Sequence, residues 1–136
     1  MMMIRTLVLA VAILTSAVLA NVTDIIPPVP DLGINCRGSS YCSSACTIAN
    51  TAAVLVTNIN AVSNGQWFNN GDHITCYGNI CAFLQNTLEG GAYGSTIKGY
   101  AHYIPEHGCT CCGSVPTGFP NDNNVADGQL TFNFVG

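Results

Sequence analysis

Eight Cys, at positions 36, 42, 46, 76, 81, 109, 111 and 112, carry the densest chemical potential of this 136-residue sequence. Cysteines in such numbers form either disulfides or thiolate metal sites, and the compartment decides which. His73, His102 and His107 are the candidate acid–base groups. A ribonuclease built from this chain would need His73, Glu89 or Glu106, and Arg37 to converge on a phosphate. A chain with so few basic residues is poorly equipped to hold one, and a structural or surface role is the simpler account of each His. Ser95 and Ser114 have no Gly-x-Ser-x-Gly context, so no hydrolase triad is visible. Glu89 and Asp72 could be named as a glycosidase pair, but any sequence with 7 acids offers such pairs. Trp67, Phe68 and Tyr93 lie in Gly- and Asn-rich stretches, where they serve either as exposed binding aromatics or as packing over the core edge.

Composition narrows these options. Lys and Arg number 3 against 7 Asp and Glu, which removes the electrostatic basis of nucleic-acid binding. Residues 1–20 carry one charge, Arg5, then an apolar run from Leu7 to Leu14, then Val18-Leu19-Ala20 with small residues at alternate positions. This is the pattern of a secretory signal peptide cleaved after Ala20, and the run is too short for a membrane span. Cleavage leaves Arg37 and Lys98 as the basic residues against all 7 acids, so the mature protein is an acidic, soluble, extracellular one. Asn21-Val22-Thr23 is an N-glycosylation sequon at the expected mature terminus. An even Cys count in a short secreted chain predicts four disulfides. The competing metal reading, Cys109, Cys111 and Cys112 with His102 or His107, lacks a second CxxC pair and an environment that keeps thiolates reduced. No metal and no cofactor is expected.

These residues need a scaffold, and the hydrophobic pattern supplies one. Residues 21–31, with Pro27, Pro28 and Pro30, read as an extended lead-in, and the domain proper covers 32–136. Gly33 to Arg37 suits a short strand. Ile48, Ala52, Leu55, Ile59 and Val62 recur at helical spacing, so one helix is expected from about Cys42 to Ser63. The segment from Asn64 to Asp72 reads as a loop holding the single Trp. His73–Tyr77 and Ile80–Gln85 form a hairpin about Gly78-Asn79, which places Cys76 opposite Cys81 at a separation a disulfide can bridge. Glu89 to Gly94 is a loop, and Ser95 or Thr96 caps a second helix with Ile97, Tyr100, Ala101 and Ile104 on one face, its end limited by Pro105. Cys109–Cys112 is a short strand, Gly113–Gly128 a long loop, and Gln129–Val135 an alternating strand with Leu130, Phe132 and Phe134 on one face. The predicted class is α+β: a two-layer α/β sandwich with two helices on one face of a mostly antiparallel sheet of about five strands.

Eight Cys in a small apolar secreted chain also fit hydrophobins, but those have two adjacent Cys pairs, whereas only Cys111-Cys112 is adjacent here. A more specific resemblance lies at the two ends of the domain. Leu32-Gly33-Ile34-Asn35-Cys36-Arg37-Gly38-Ser39-Ser40 with Cys42, and His107-Gly108-Cys109 with Cys112-Gly113-Ser114, Asn124-Val125, Gly128-Gln129-Leu130-Thr131, Asn133 and Val135, closely resemble the virally encoded killer toxins of smut fungi and killer-toxin-like proteins of other fungi and mosses. The similarity spans Leu32 to Val135, with the middle helix and the Trp67 loop matching loosely. It implies a compact α/β sandwich and the bridges Cys36–Cys109 and Cys42–Cys112. With Cys76–Cys81 from the hairpin, Cys46 and Cys111 remain, and neither matches the founding toxin. Adjacent Cys111 and Cys112 should point to opposite sides of a strand, so both reach the helix bearing Cys42 and Cys46 only if the strand ends or bulges there.

Function implied by the resemblance is that of a non-enzymatic secreted effector, acting as a monomer, that inhibits competing fungal or host cells. Its partner would be a target-cell surface protein, with a calcium channel as the candidate the family supplies. Trp67, Phe68, His73 and Lys98 are the candidate target-binding residues. The family's functionally important Lys, two residues before the Cys corresponding to Cys76, is replaced here by Ile74. A small secreted hydrolase and a non-toxic cell-surface structural protein are the alternatives.

Overall fold

A computed structural model describes residues 33–136; the expected leader, the Pro-rich lead-in and the Asn21 sequon lie outside them. The described chain is α+β, with helices packed on one face of antiparallel strands. A four-stranded sheet runs in the order β2 (Thr75–Tyr77), β3 (Ile80–Gln85), β6 (Gln129–Phe134), β5 (Gly113–Pro116). A separate antiparallel pair joins β1 (Trp67–Asn69) to β4 (Gly91–Tyr93), so the strands number six in two sheets rather than about five in one.

Alternation decides which face of the large sheet is buried. Ile80, Ala82 and Leu84 of β3 and Leu130 and Phe132 of β6 are at most 1% exposed and face the helices. On that face lie α2 (Thr51–Ala61), through Ala52, Leu55 and Ile59, and α3 (Gly94–Ala101), through Ile97, Tyr100 and Ala101. The short α4 (Tyr103–Glu106) adds Ile104, the last apolar residue of the expected stripe, and contains Pro105. The β2–β3 hairpin has the expected register, with Tyr77 opposite Ile80 and Cys76 opposite Cys81, and Gly78 takes the positive φ of 59° that the turn requires.

Four local expectations are corrected. The helix expected over Cys42–Ser63 is two: α1 (Cys42–Ala45) and α2, separated by a turn in which Asn50 adopts the left-handed region at φ 64°. Ile48, in phase with the stripe, is 50% exposed in that turn. The first amide groups of α2 find other partners, Ala52 N–H donating to the Thr110 carbonyl at 3.1 Å. Gly33–Arg37 makes a single bridge, Asn35 to Ser114, rather than a strand. Cys109–Cys112 is a turn, and the strand begins one residue later at Gly113, inside the expected loop, which also holds a 3₁₀ turn at Val125–Asp127. Neither Ser95 nor Thr96 caps α3. The helix starts at Gly94, whose N–H donates to the Gln66 carbonyl at 2.8 Å, while Ser95 N–H donates to the Asn64 carbonyl at 3.1 Å.

Four bridges close the structure: Cys36–Cys109, Cys42–Cys112, Cys46–Cys111 and Cys76–Cys81. Because Cys111 and Cys112 lie in a turn, both sulfurs face the α1 segment, which resolves the objection that adjacent strand residues diverge. All eight thiols are consumed, and no free cysteine remains among the described residues.

Candidate functional site

The strongest surface feature is built on the β1–β4 pair. Three residues per strand are too few to make a stable sheet alone, so the pair is anchored at both ends. At one end Asn70 N–H donates to the Gly90 carbonyl at 2.8 Å and Gly71 N–H donates to the Leu84 carbonyl of β3 at 2.8 Å; at the other Gly94 N–H donates to the Gln66 carbonyl at 2.8 Å. Alternation along β1 turns Phe68 inward, 5% exposed, and Trp67 outward, 36% exposed. Phe68 is therefore a core residue and not a surface contact, contrary to its place among the candidate target-binding residues.

Trp67 faces Tyr93 across the pair. Its indole N–H donates to Asn69 Oδ1 at 3.0 Å, and Asn69 is held in turn by Asp72, whose Oδ2 accepts from both the backbone N–H and the side-chain amide of Asn69 at 2.9 Å. The indole is thus oriented by a two-step relay of local hydrogen bonds. Gly91 opposes Asn69 in the register and leaves room for the ring: a Cβ there would lie 2.9 Å from two indole carbons.

Beside this pair opens a cavity of about 270 Å³, lined by Trp67, Tyr93, Tyr100, Leu88, Glu89 and Asp127 among others. The rim loop is fixed rather than free-standing. Asn70 Oδ1 accepts from the Thr87 hydroxyl at 2.8 Å and from its N–H at 3.3 Å, and Gly90 N–H closes a turn on the Thr87 carbonyl at 3.0 Å. That turn presents Leu88, 88% exposed, at the mouth. Large exposed apolar side chains clustered at one place mark interaction surfaces more often than isolated ones do.

The remaining candidates are scattered. Lys98 Nζ donates to Asn64 Oδ1 at 2.7 Å on the exposed side of α3 and does not line the cavity. His73 is exposed just before β2 and packs toward Phe83 at 6.2 Å between ring centroids. His102 lies 3.9 Å from Glu106 on α4 and stacks against Tyr103, while His107 caps the same helix. Ile74 is 9% exposed, its N–H donating to the Ala82 carbonyl at 2.8 Å. Two groups have sulfurs close enough to ligate a metal, Cys46 with Cys111 and Cys112, and His73 with Cys76 and Cys81, but every one of those sulfurs is in a disulfide and is not a thiolate ligand. Among the described residues no helix is long and apolar enough to cross a membrane. Tyr100 was missed as a site residue because its spacing places it on an apolar stripe; only the fold shows that its ring extends from the core into the cavity wall.

A family model named Kp4 matches residues 19–136. The chain is also similar to the KP4 killer toxin of Ustilago maydis P4 virus, with 34% identity over 114 residues that cover 81% of this chain and 85% of the toxin.

Proposed function

The chain belongs to the Kp4 killer toxin family, and from that premise we propose that it is a secreted growth inhibitor that acts by binding a surface protein of a fungal or host cell. A killer-toxin-like function is what the family carries; the target and its process are our reading. The similarity that runs through 81% of the chain is the observation that supports it most. The four disulfides fit an oxidising, extracellular compartment, reached through a leader ending at Ala20.

Calcium uptake is the process assigned to the target cell, through a calcium channel. At the position of the family's Lys this chain carries buried Ile74, and among the described residues Arg37 and Lys98 are the permanent cations, Lys98 already engaged by Asn64. The surface suited to a protein partner is the edge formed by Trp67, Tyr93 and Leu88. A hydrolase gains nothing from the placement of the histidines, since His102 and His107 stand at the two ends of α4 and His73 lies just before β2.

Purified oxidised protein applied to several fungal and plant cell types tests the proposal, with growth and calcium uptake both measured. Dose-dependent arrest of growth with reduced uptake is expected in at least one. Arrest with normal uptake removes the channel and keeps the toxin; no effect on either in any cell overturns the reading.

A further inference from the structure

The sequence holds two Asn-Gly pairs, Asn64-Gly65 between α2 and β1 and Asn70-Gly71 just after β1. In such a pair the Gly nitrogen readily attacks the Asn side-chain carbonyl, because Gly puts no Cβ in the way and leaves the backbone free to turn. The structure gives the two pairs opposite surroundings. At Asn70 the nucleophile is withheld, since Gly71 N–H donates to the Leu84 carbonyl at 2.8 Å. The electrophile is held as well, Asn70 Oδ1 accepting from the Thr87 hydroxyl at 2.8 Å and Nδ2 donating to the Thr87 carbonyl at 3.3 Å.

At Asn64 the same atoms are free to meet. Asn64 and Gly65 are the central residues of a turn closed by Gln66 N–H on the Ser63 carbonyl at 3.2 Å, and both are exposed. Gly65 N–H has no hydrogen-bond partner among the described residues. A Cβ built on Gly65 meets nothing within 4 Å, so the space for a succinimide ring is open. The electrophile is already polarised: Lys98 Nζ, reaching across from α3, donates to Asn64 Oδ1 at 2.7 Å. Oδ1 is the atom on which negative charge develops when Cγ is attacked, and an ammonium fixed there stabilises the transition state more than the neutral amide.

We infer that Asn64 is a site of intramolecular deamidation in the folded protein, with Gly65 N as nucleophile and Lys98 holding the oxyanion, while Asn70 is protected. Gly65 N loses its proton to water or hydroxide and bonds to Asn64 Cγ. The Cγ–Nδ2 bond then breaks, and Nδ2 takes a proton from water and leaves as ammonia. Water opens the resulting succinimide at either carbonyl. Addition at Cγ gives an aspartate whose carboxylate pairs with Lys98. Addition at the former backbone carbonyl gives isoaspartate, whose main chain runs through Cβ and Cγ. That second product turns the carbonyl that accepts from Ser95 N–H at 3.1 Å into a pendant carboxylate, in the segment that fastens the start of α3 and leads into Trp67. Ageing in solution thereby alters the edge where Trp67 faces Tyr93. The inference is independent of the growth-inhibition reading, since it is read from mass rather than from cells.

The oxidised protein is incubated in heavy-oxygen water at mildly alkaline pH, and its peptides are followed by mass. Conversion of amide to acid with uptake of heavy oxygen is expected at Asn64 at least about 10-fold faster than at Asn70, with isoaspartate among the products. In the reduced protein in urea the difference should vanish, the two pairs reacting within about 3-fold of each other. Lys98→Met, which keeps the stem and removes the charge, should slow Asn64 about 5-fold in the folded protein and leave its rate in urea unchanged. Gly65→Ala, for which the fold has room, should slow it by more than about 10-fold. Equal rates at Asn64 and Asn70 in the folded protein overturn the assignment, as does an Asn64 that converts only in urea. A Lys98→Met protein that converts as fast as the natural one overturns the role of Lys98.

Discussion

Trp67 and Tyr93 stand directly opposite each other on β1 and β4 and meet edge to face, with ring centroids 4.9 Å apart and planes at 78°. The contact depends on a residue that has no side chain. Gly91, one step beyond the Phe68 pairing partner, lets the β4 backbone pass under the indole. A Cβ at 91 would collide with the Phe68 carbonyl as well as with the ring.

Gly91→Ala should therefore cost about 1 to 3 kcal/mol and shift the Trp67 emission. Gly99→Ala is the matched control, because a Cβ there meets nothing within 4 Å on the exposed side of α3. It should stabilise by about 0.5 to 1 kcal/mol through helix propensity. Urea denaturation followed by fluorescence and circular dichroism compares the two.

The bridges should differ in worth according to the loops they close. Cys36 and Cys109 are 73 residues apart, so losing that bridge by a double Cys→Ser change should cost roughly 4.5 kcal/mol on the chain-entropy account. Cys76 and Cys81 are 5 apart on a hairpin already aligned by its turn, and their removal should cost roughly half as much. Denaturant midpoints of the two double variants give the ratio; equal losses would refute the loop-length argument.

The legibility of these features in the sequence follows physical lines. Patterns that repeat, such as Leu130 and Phe132 alternating on β6 or Leu55 and Ile59 on α2, were readable because burial follows period. The Cys76–Cys81 pair was readable because a two-residue turn fixes register. The break at Asn50 was not, since Ile48 kept the helical phase while the Cys46–Cys111 bridge and the Thr110 carbonyl drew the chain into a turn. β1 and β4 were missed because three-residue strands containing Gly91 leave no pattern to count. At the site, Trp67 and Tyr93 stand out by type, the direction of Phe68 stays open between surface and core edge until a strand sets it, and the unpaired hydroxyl of Tyr100 depends on the packing around it.

That hydroxyl carries a pH signature. Burial pushes the Tyr100 phenol above its ordinary range, so the folded protein keeps a proton that the unfolded chain releases near pH 10. Above that pH the unfolded state binds fewer protons and stability falls, by up to about 1.4 kcal/mol per pH unit from this group. The contribution is complete below about pH 10 and is lost as pH rises toward the folded value. Tyr100→Phe should remove that part of the alkaline slope while changing stability at pH 7 by less than about 1 kcal/mol, because the hydroxyl it deletes is unpaired. Urea midpoints at several pH values from neutral to alkaline measure it.

Asn50 holds the α1–α2 break in a backbone region that costs ordinary L-residues energy. Asn50→Gly should be neutral to within about 0.5 kcal/mol, whereas Asn50→Ala should cost about 1 to 2 kcal/mol. If Ala were tolerated, the helix expected across Cys42–Ser63 would be accessible after all, and helical circular dichroism would rise.

Ile74, at the position where the resemblance implies a Lys, is buried at 9% exposed. Its side chain belongs to the core cluster and its N–H to the pairing with Ala82, so a Lys at 74 would have to bury its stem and charge or pull the segment before β2 outward. Ile74→Lys should cost about 2 to 3 kcal/mol at neutral pH, the equivalent of depressing the ammonium pKa by roughly 2 units. A depressed folded pKa means that the unfolded chain binds more protons, so the deficit should shrink as pH rises toward about 10. The variant should gain no calcium-uptake inhibition, because the surface assigned to target contact lies at Trp67, Tyr93 and Leu88. A stable Ile74→Lys protein with stronger inhibition would return the active surface to the β2 side of the molecule and overturn that assignment.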